Sequence, residues 1–356
     1  MKHRIWGWDA ARIMCALLVY ASHSIGMYGC SYGIFLDKVI RSSVSPIMTT
    51  FFVLSGGGIY YSYHDRITFK SGKDIISFYK RRAVAILPAY YLAHIIVLLF
   101  NYDQWNSWAI LTPIEIIGIQ TWFHTLFGIL DIGGTWFISC IILGYFIYPI
   151  LHEIANSISQ KSRTFICVLI YLVLCYSNFV IKQYGLATTY SNPLFRTLEI
   201  AFGVFLVSNL VHSKRKREGI NSQRIRRSCI LVLLLMVVAI INRHKIVFWL
   251  AILSQNYQFT FLLIVILIST LFYIRCDYLE RSKILKYGSA LTYSFYLNQL
   301  YLWNISDIVL SSLGMTSNKS KIIISLIICI VVAILIYEFF EKPVKTAIIN
   351  ISSKKQ

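Results

Sequence analysis

Ten runs of predominantly apolar residues, each roughly 20 long, limit what this chain can become. A helix of about 20 apolar residues matches the ~30 Å hydrocarbon core of a bilayer. Backbone amides inside that core find no water, so each must bond within its own segment, which an α-helix achieves unaided. The runs lie near 5–28, 44–63, 84–101, 134–152, 164–182, 194–211, 228–242, 256–275, 288–310 and 322–340. Only 14% of the residues are charged, 57% are hydrophobic, and the mean hydropathy is +0.64. A soluble domain carries about 25% charged residues, so the deficit excludes a soluble core of this length. The expected fold is all-α: a polytopic integral membrane protein with about ten transmembrane helices.

The basic residues orient that frame. With the amino terminus inside, the inner intervals hold Lys2 and Arg4, six cations from Arg66 to Arg82, Lys161 and Arg163, and seven from Lys214 to Arg227. Arg275, Arg281, Lys283 and Lys286 follow, then Lys342, Lys345, Lys354 and Lys355. The outer intervals hold far fewer, among them Lys38, Arg41 and Lys182. This is the positive-inside bias, and it predicts both termini in the cytoplasm. The net charge of +19 therefore needs no nucleic acid. The tract "KRKREGINSQRIRR" (214–227) reads as a cytoplasmic loop touching anionic lipid.

One further apolar stretch, "ILTPIEIIGIQTWFHTLFGIL" (110–130), is broken by Pro113, Glu115, Gln120 and His124. It reads as an outer-surface or re-entrant helix, or as an added span that inverts everything after it. No interval is long enough for a soluble domain. The organisation expected is one membrane domain over 1–345 and a short basic cytoplasmic tail over 346–356. The first run carries two charges and lacks a small-residue cleavage site, so it reads as a retained span rather than a signal peptide. Most of the eight cysteines fall inside apolar runs, as packing residues do, rather than in a disulfide or metal pattern. No metal is expected.

Ionisable residues inside a span are costly and mark functional candidates. Arg12 and His23 stand eleven residues apart in the first run. At about 100° per residue they share one helix face, separated along the axis by roughly 16 Å. Asp9, one turn before Arg12, is within ion-pair reach. In the second run Ser55 precedes Gly56, Gly57 and Gly58; such residues admit either a neighbouring backbone or a thin ligand chain. Lys80, Arg81 and Arg82 open the third run, with Pro88 beyond them. They suit either a topology anchor or a clamp on an anionic nucleotide.

The segments "WDAARIMCALLVYASHS", "FFVLSGG", "KRRAVAILPAYY", "TWFISCIILGYFIYPIL", "SFYLNQLYLW" and "FFEKPV", in this order, resemble the bacterial membrane acyltransferase 3 family. Arg12 and His23 match its Arg-x10-His pattern. Phe51, Phe52, Ser55 and Gly56 match its Phe-Phe-x-x-Ser-Gly pattern. Trp136 matches a helix-opening tryptophan, and Glu341 with Pro343 a late Glu-x-Pro. The chain departs from the family where Ala85 stands in place of the second arginine of an Arg-x-x-Arg before Ile-x-Pro. Asn298 and Tyr301 stand where a tyrosine and a histidine are usual. Ile141 and Ile142 replace the glutamates of one branch, and that branch's fused esterase-like domain is absent.

The resemblance implies an O-acyltransferase of the bacterial inner membrane, acting on a surface glycan or an undecaprenyl-linked glycan. Its donor substrate would be acetyl-CoA or another acyl-CoA, held by Lys80, Arg81 and Arg82. An imidazole with an unperturbed pKa near 6.5 can take a proton from a sugar hydroxyl, the role implied for His23. Arg12 would orient the site or meet donor phosphate, with Asp9 fixing its rotamer. Ser55 would donate a hydrogen bond or carry the acyl group transiently, and Trp136 and Glu341 are further candidates. The rival class is a polytopic transporter or flippase using Asp9, Arg12 and His23 as a relay. Against it, no internal repeat and no paired broken helices are visible.

Overall fold

The computed structural model describes residues 4–100, 112–123, 134–186, 188–213, 222–246, 257 and 259–353, and among these every regular element is helical. The main helices are α1 (Trp6–Tyr28), α2 (Ile34–Tyr63), α3 (Gly72–Phe100), α4 (Trp136–Ser157), α5 (Gln160–Cys175) and α6 (Ser177–Tyr184). They continue as α7 (Pro193–His212), α8 (Ser222–Ile246), α9 (Phe259–Tyr273), α10 (Asp277–Arg281), α11 (Lys283–Ser312), α12 (Asn318–Ile336) and α13 (Lys342–Ser353). A π-helical stretch, Tyr337–Glu341, joins the last two. The expected boundary between domain and tail, at residue 345, falls inside α13.

A helix stands at each of the ten expected runs. Six of them are long and apolar enough to cross a membrane, or seven if α5 and α6, bent by 53°, form one broken span. The shortfall from ten has visible causes. The apolar parts of α8 and α9, Arg227–Ala239 and Phe259–Tyr273, are short. The 30-residue α11 is long enough but carries Ser294, Asn298, Gln299 and Ser306 along its length. All four are buried, so its polar stripe faces protein. A helix polar on an inward face is tolerable in a bundle, because its groups bond to neighbours rather than meet lipid.

Local chemistry sets the helix ends. Asn192 caps α7 through its side chain on Leu194 N at 2.9 Å, with Pro193 at the first helical position, where its missing N–H has no intrahelical partner to lose. Ser282 caps α11 through Leu285 N at 3.2 Å. Pro343 cannot donate to the preceding turn and its ring crowds that turn's carbonyl. The chain widens into the π stretch immediately before it, a local answer that helices use frequently at functional sites.

The bundle is organised on α7, which packs against α2, α4 and α5, while α1 packs on α2 and α11, and α11 on α12. The glycines of α2 explain the closest of these contacts. A Cβ on Gly56 would lie 2.0 Å from the Ile200 carbonyl oxygen, and one on Gly203 would lie 2.1 Å from that of Val53. Of the two readings for the Ser-Gly-Gly-Gly stretch, Gly56 and Gly57 therefore serve helix packing, and Gly58 faces elsewhere.

The 110–130 stretch shows no span among its described residues. Residues 112–117 form a short helix, Gly118 turns the chain with φ 77°, and Gln120–Trp122 make one 3-10 turn. The remainder, 110–111 and 124–130, lies outside the described residues. Tyr90 and Tyr91 of α3 hold the stretch by donating to the carbonyls of Glu115 (2.6 Å) and Ile116 (2.9 Å). Gln120 is bonded to Thr135 O and by Ser139 at the start of α4.

Candidate active site

Two cavities meet between α1, α2, α3, α4 and α11. The first, about 490 Å³, is lined by four arginines (Arg4, Arg12, Arg66 and Arg82) and by Asp9, Trp8, Tyr61 and Tyr63. The second, about 320 Å³, is walled mainly by Met48, Phe51, Ile86, Phe137, Ile141 and Tyr296, with Glu341 and Lys345 also on its lining. Arg12, Ser55 and Tyr145 line both. These three residues form the shared wall, here termed the neck, between a cationic chamber and a mostly apolar one.

Arg12 is fixed from two sides. Its Nη2 donates to Leu54 O at 3.2 Å, and its Nη1 stands 3.5 Å from Asp9 Oδ1. Asp9 is shared: Arg4 Nε reaches its Oδ2 at 2.7 Å, and Ser289 donates to Oδ1 at 2.7 Å. Asp9 thus ties the start of α1 to α11 while it orients Arg12. Gly58 leaves the space that the Arg12 guanidinium fills, since a Cβ there would lie 2.8 Å from Nη2. Across the neck, Tyr145 lines the same wall as Ser55 and lies beside the guanidinium of Arg82.

The three cations at the start of α3 separate in space. Arg82 lines the first cavity and lies against the rings of Tyr63, Phe78 and Tyr145, 5.7–5.9 Å from their centroids. Lys80 and Arg81 are exposed and line neither chamber, although Arg81 also lies over Tyr63. The cations that accompany Arg82 in the chamber are Arg4 and Arg66, which the sequence offers only as topology markers. Ala85 lines the second cavity, so the position of the missing arginine lies deeper than the cationic chamber.

Glu341 ends the π stretch, lines the second cavity and accepts a hydrogen bond from Ser294. Tyr293 beside it donates to Ile86 O at 2.9 Å, tying α11 to α3 at the cavity wall. Trp136 lines neither cavity. It is buried against Phe52, Tyr190 and the guanidinium of Arg196. Arg196 belongs to a buried network not anticipated from the sequence: its Nη1 meets both oxygens of Glu199 at 2.8 and 2.9 Å, and Thr49 donates to the same carboxylate at 2.8 Å.

His23 also lies off both cavities. Tyr20 and Tyr28, on either side of it along α1, meet Phe295 and Leu300 O of α11, so it stands at the level of Gln299, three residues beyond Tyr296, which lines the second chamber. Among the described residues no group of three or more His, Cys, Asp or Glu could hold a metal ion.

A helical membrane bundle with a basic chamber beside an apolar one suits transfer of a group carried by an anionic donor. A family model for an acyltransferase domain matches residues 5–338 of the 356, and the chain belongs to the acyltransferase 3 family. No curated protein and no solved structure matches it.

Proposed function

We propose that this membrane acyltransferase moves an acyl group, acetyl in the first instance, from acyl-CoA to a hydroxyl of a cell-surface or undecaprenyl-linked glycan in a bacterial inner membrane. The observation that carries the reading is the neck of Arg12, Ser55 and Tyr145 between a cationic chamber and an apolar one. A CoA-type donor has that polarity: phosphates at one end, and a slender arm ending in a thioester at the other. Arg4, Arg66 and Arg82 suit the phosphates, since guanidinium groups bind phosphate through paired, charge-assisted hydrogen bonds. Tyr61 and Tyr63 offer aromatic surface to the base. The basic chamber opens to the cytoplasm in this reading, in accord with the positive-inside bias.

The arm passes Arg12 and Ser55 into the second chamber and brings the thioester toward His23. There the glycan hydroxyl oxygen attacks the acyl carbon while the imidazole takes the hydroxyl proton. The C–O ester bond forms, the C–S bond breaks, and the proton passes to the departing thiolate. Arg12 stabilises charge along the path. Direct transfer requires nothing further of Ser55 than a hydrogen bond.

Membranes containing the protein, given acetyl-CoA labelled in the acetyl group and an exported or lipid-linked glycan, test the reading. Label in alkali-labile ester linkage on the glycan is the expected result. Vectorial movement of unmodified glycan without label would favour the transporter reading instead.

A further inference from the structure

The base assigned to His23 needs one ring nitrogen free of a proton, and something must decide which. Gln299 stands where that decision is made. It is buried at 2% exposure on α11, and its amide NH2 donates to Tyr296 O at 3.2 Å. That bond orients the amide and leaves Oε1 as the atom in need of a donor. Oε1 is buried and has no well-formed partner, and Nδ1 of His23 is likewise buried with none. α1 and α11 run side by side here: Tyr20 and Tyr28, before and after His23 on α1, meet Phe295, Trp303 and Leu300 O of α11, which brings the imidazole to the level of Gln299. An unsatisfied buried acceptor is costly, and pairing the two orphaned atoms satisfies both.

We propose that Gln299 is the positioning residue of the site: its Oε1 accepts Nδ1–H of His23, fixing the tautomer in which Nε2 is bare and able to receive the acceptor's proton. This rests on the acyl-transfer reading above. The connection to the chamber runs along one turn of α11. Tyr296, the carbonyl partner of Gln299, lines the second cavity and donates through its hydroxyl to Gly134 O at 3.1 Å. A group filling that cavity presses on the helical turn that orients the amide. The role parallels that of a carboxylate or amide behind a catalytic histidine, where the wrong tautomer abolishes most turnover with the geometry intact.

The test uses the full-length protein in nanodiscs, with histidine labelled by 15N. Bare and protonated ring nitrogens give well-separated signals, and those of His23 are the ones lost in His23→Gln. The wild type is expected to show Nδ1–H. Gln299→Leu is expected to shift His23 toward Nε2–H and to lower kcat by at least about tenfold, with KM for acyl-CoA within about twofold of wild type. Gln299→Glu, which keeps an acceptor at the same reach, is expected to retain Nδ1–H. An Nε2–H tautomer in the wild type overturns the proposal and requires no variant to fold. Wild-type turnover in Gln299→Leu, with His23→Ala inactive, overturns the Gln299 assignment alone. Normal transfer by His23→Ala overturns the site reading on which it rests.

Discussion

Gly58 and Arg12 occupy complementary space: a Cβ on the glycine would stand 2.8 Å from Arg12 Nη2, the atom that also donates to Leu54 O. A Cβ on the glycine two positions earlier would meet backbone instead, 2.0 Å from Ile200 O. A guanidinium can swing away, whereas two packed helices must separate. Gly58→Ala is therefore expected to leave the melting temperature within a few degrees of wild type while lowering acyl transfer by about tenfold, an order of loss common when a positioned charge is displaced. Gly56→Ala is expected to destabilise the bundle by about 1–3 kcal/mol or more, as overpacking does. Melting in detergent alongside activity separates the two. Equal melting losses would place Gly58 with the packing glycines.

Arg82 is expected to matter and Arg81 not, although they are adjacent. Only Arg82 lines the cationic chamber. Losing a charge-assisted phosphate contact of about 1.5–3 kcal/mol corresponds to roughly a 10- to 100-fold rise in KM for acyl-CoA in Arg82→Ala. Lys80→Ala and Arg81→Ala are expected to stay within about threefold, the range of exposed charges. Raised salt should weaken donor binding in the wild type more than in Arg82→Ala. A large effect of Arg81→Ala equal to that of Arg82→Ala would restore the three-cation clamp.

Much of this site can be read in the sequence, because helical spacing and membrane cost act together. Asp9, Arg12, Ser55, Arg82 and Glu341 stand out as polar groups in or beside apolar runs, and all line the two chambers. Arg4 and Arg66 do not stand out. A cation that sets topology and one that faces a cavity look the same in sequence, and only the packing of α1, α2 and α3 separates them. Tyr145 and Tyr293 pass as core aromatics until Tyr145 is found on the wall shared by both chambers and the Tyr293 hydroxyl bonds across to α3. Arg196 and Glu199 carry the same signal as Arg12, charges inside an apolar run, three apart on α7. Applying the membrane-cost argument to every run would have found them. Trp136 shows the opposite: its motif is visible, but its place, against Arg196 rather than in a chamber, depends on tertiary packing.

The Arg196–Glu199 pair gives a stability prediction. Both side chains are fully buried, and Arg196 lies over Phe52, Trp136 and Tyr190. Removing one partner strands the other charge, which costs about 3–5 kcal/mol in buried pairs. Arg196→Ala is expected to lower the melting temperature steeply and to reduce the amount recovered in membranes. Glu199→Gln, which keeps hydrogen-bonding capacity toward Arg196 and Thr49, is expected to lose less. An Arg196→Ala protein that melts like wild type would show the pair to be dispensable for folding.

The last prediction concerns the frame that places the donor chamber inside. Arg4, Arg66 and Arg82 come from the start of α1, the chain just beyond α2 and the early part of α3, yet they line one cavity. These three points must therefore lie on one side of the membrane, and the α1–α2 connection on the other. In a functional variant without its eight native cysteines, Lys70→Cys is expected to react with an impermeant maleimide only after the cytoplasmic face is opened. Phe35→Cys, on the exposed start of α2, and Thr316→Cys, between α11 and α12, are expected to react from outside in intact cells. If 70 and 35 label from the same side, α1 and α2 do not both cross, and the acyl route through the neck fails with them. If 70 and 35 behave as expected and 316 is inverted, the crossings between α3 and α12 are one more or one fewer than expected, and the cationic chamber, built from the first four helices and the chain joining them, keeps its orientation.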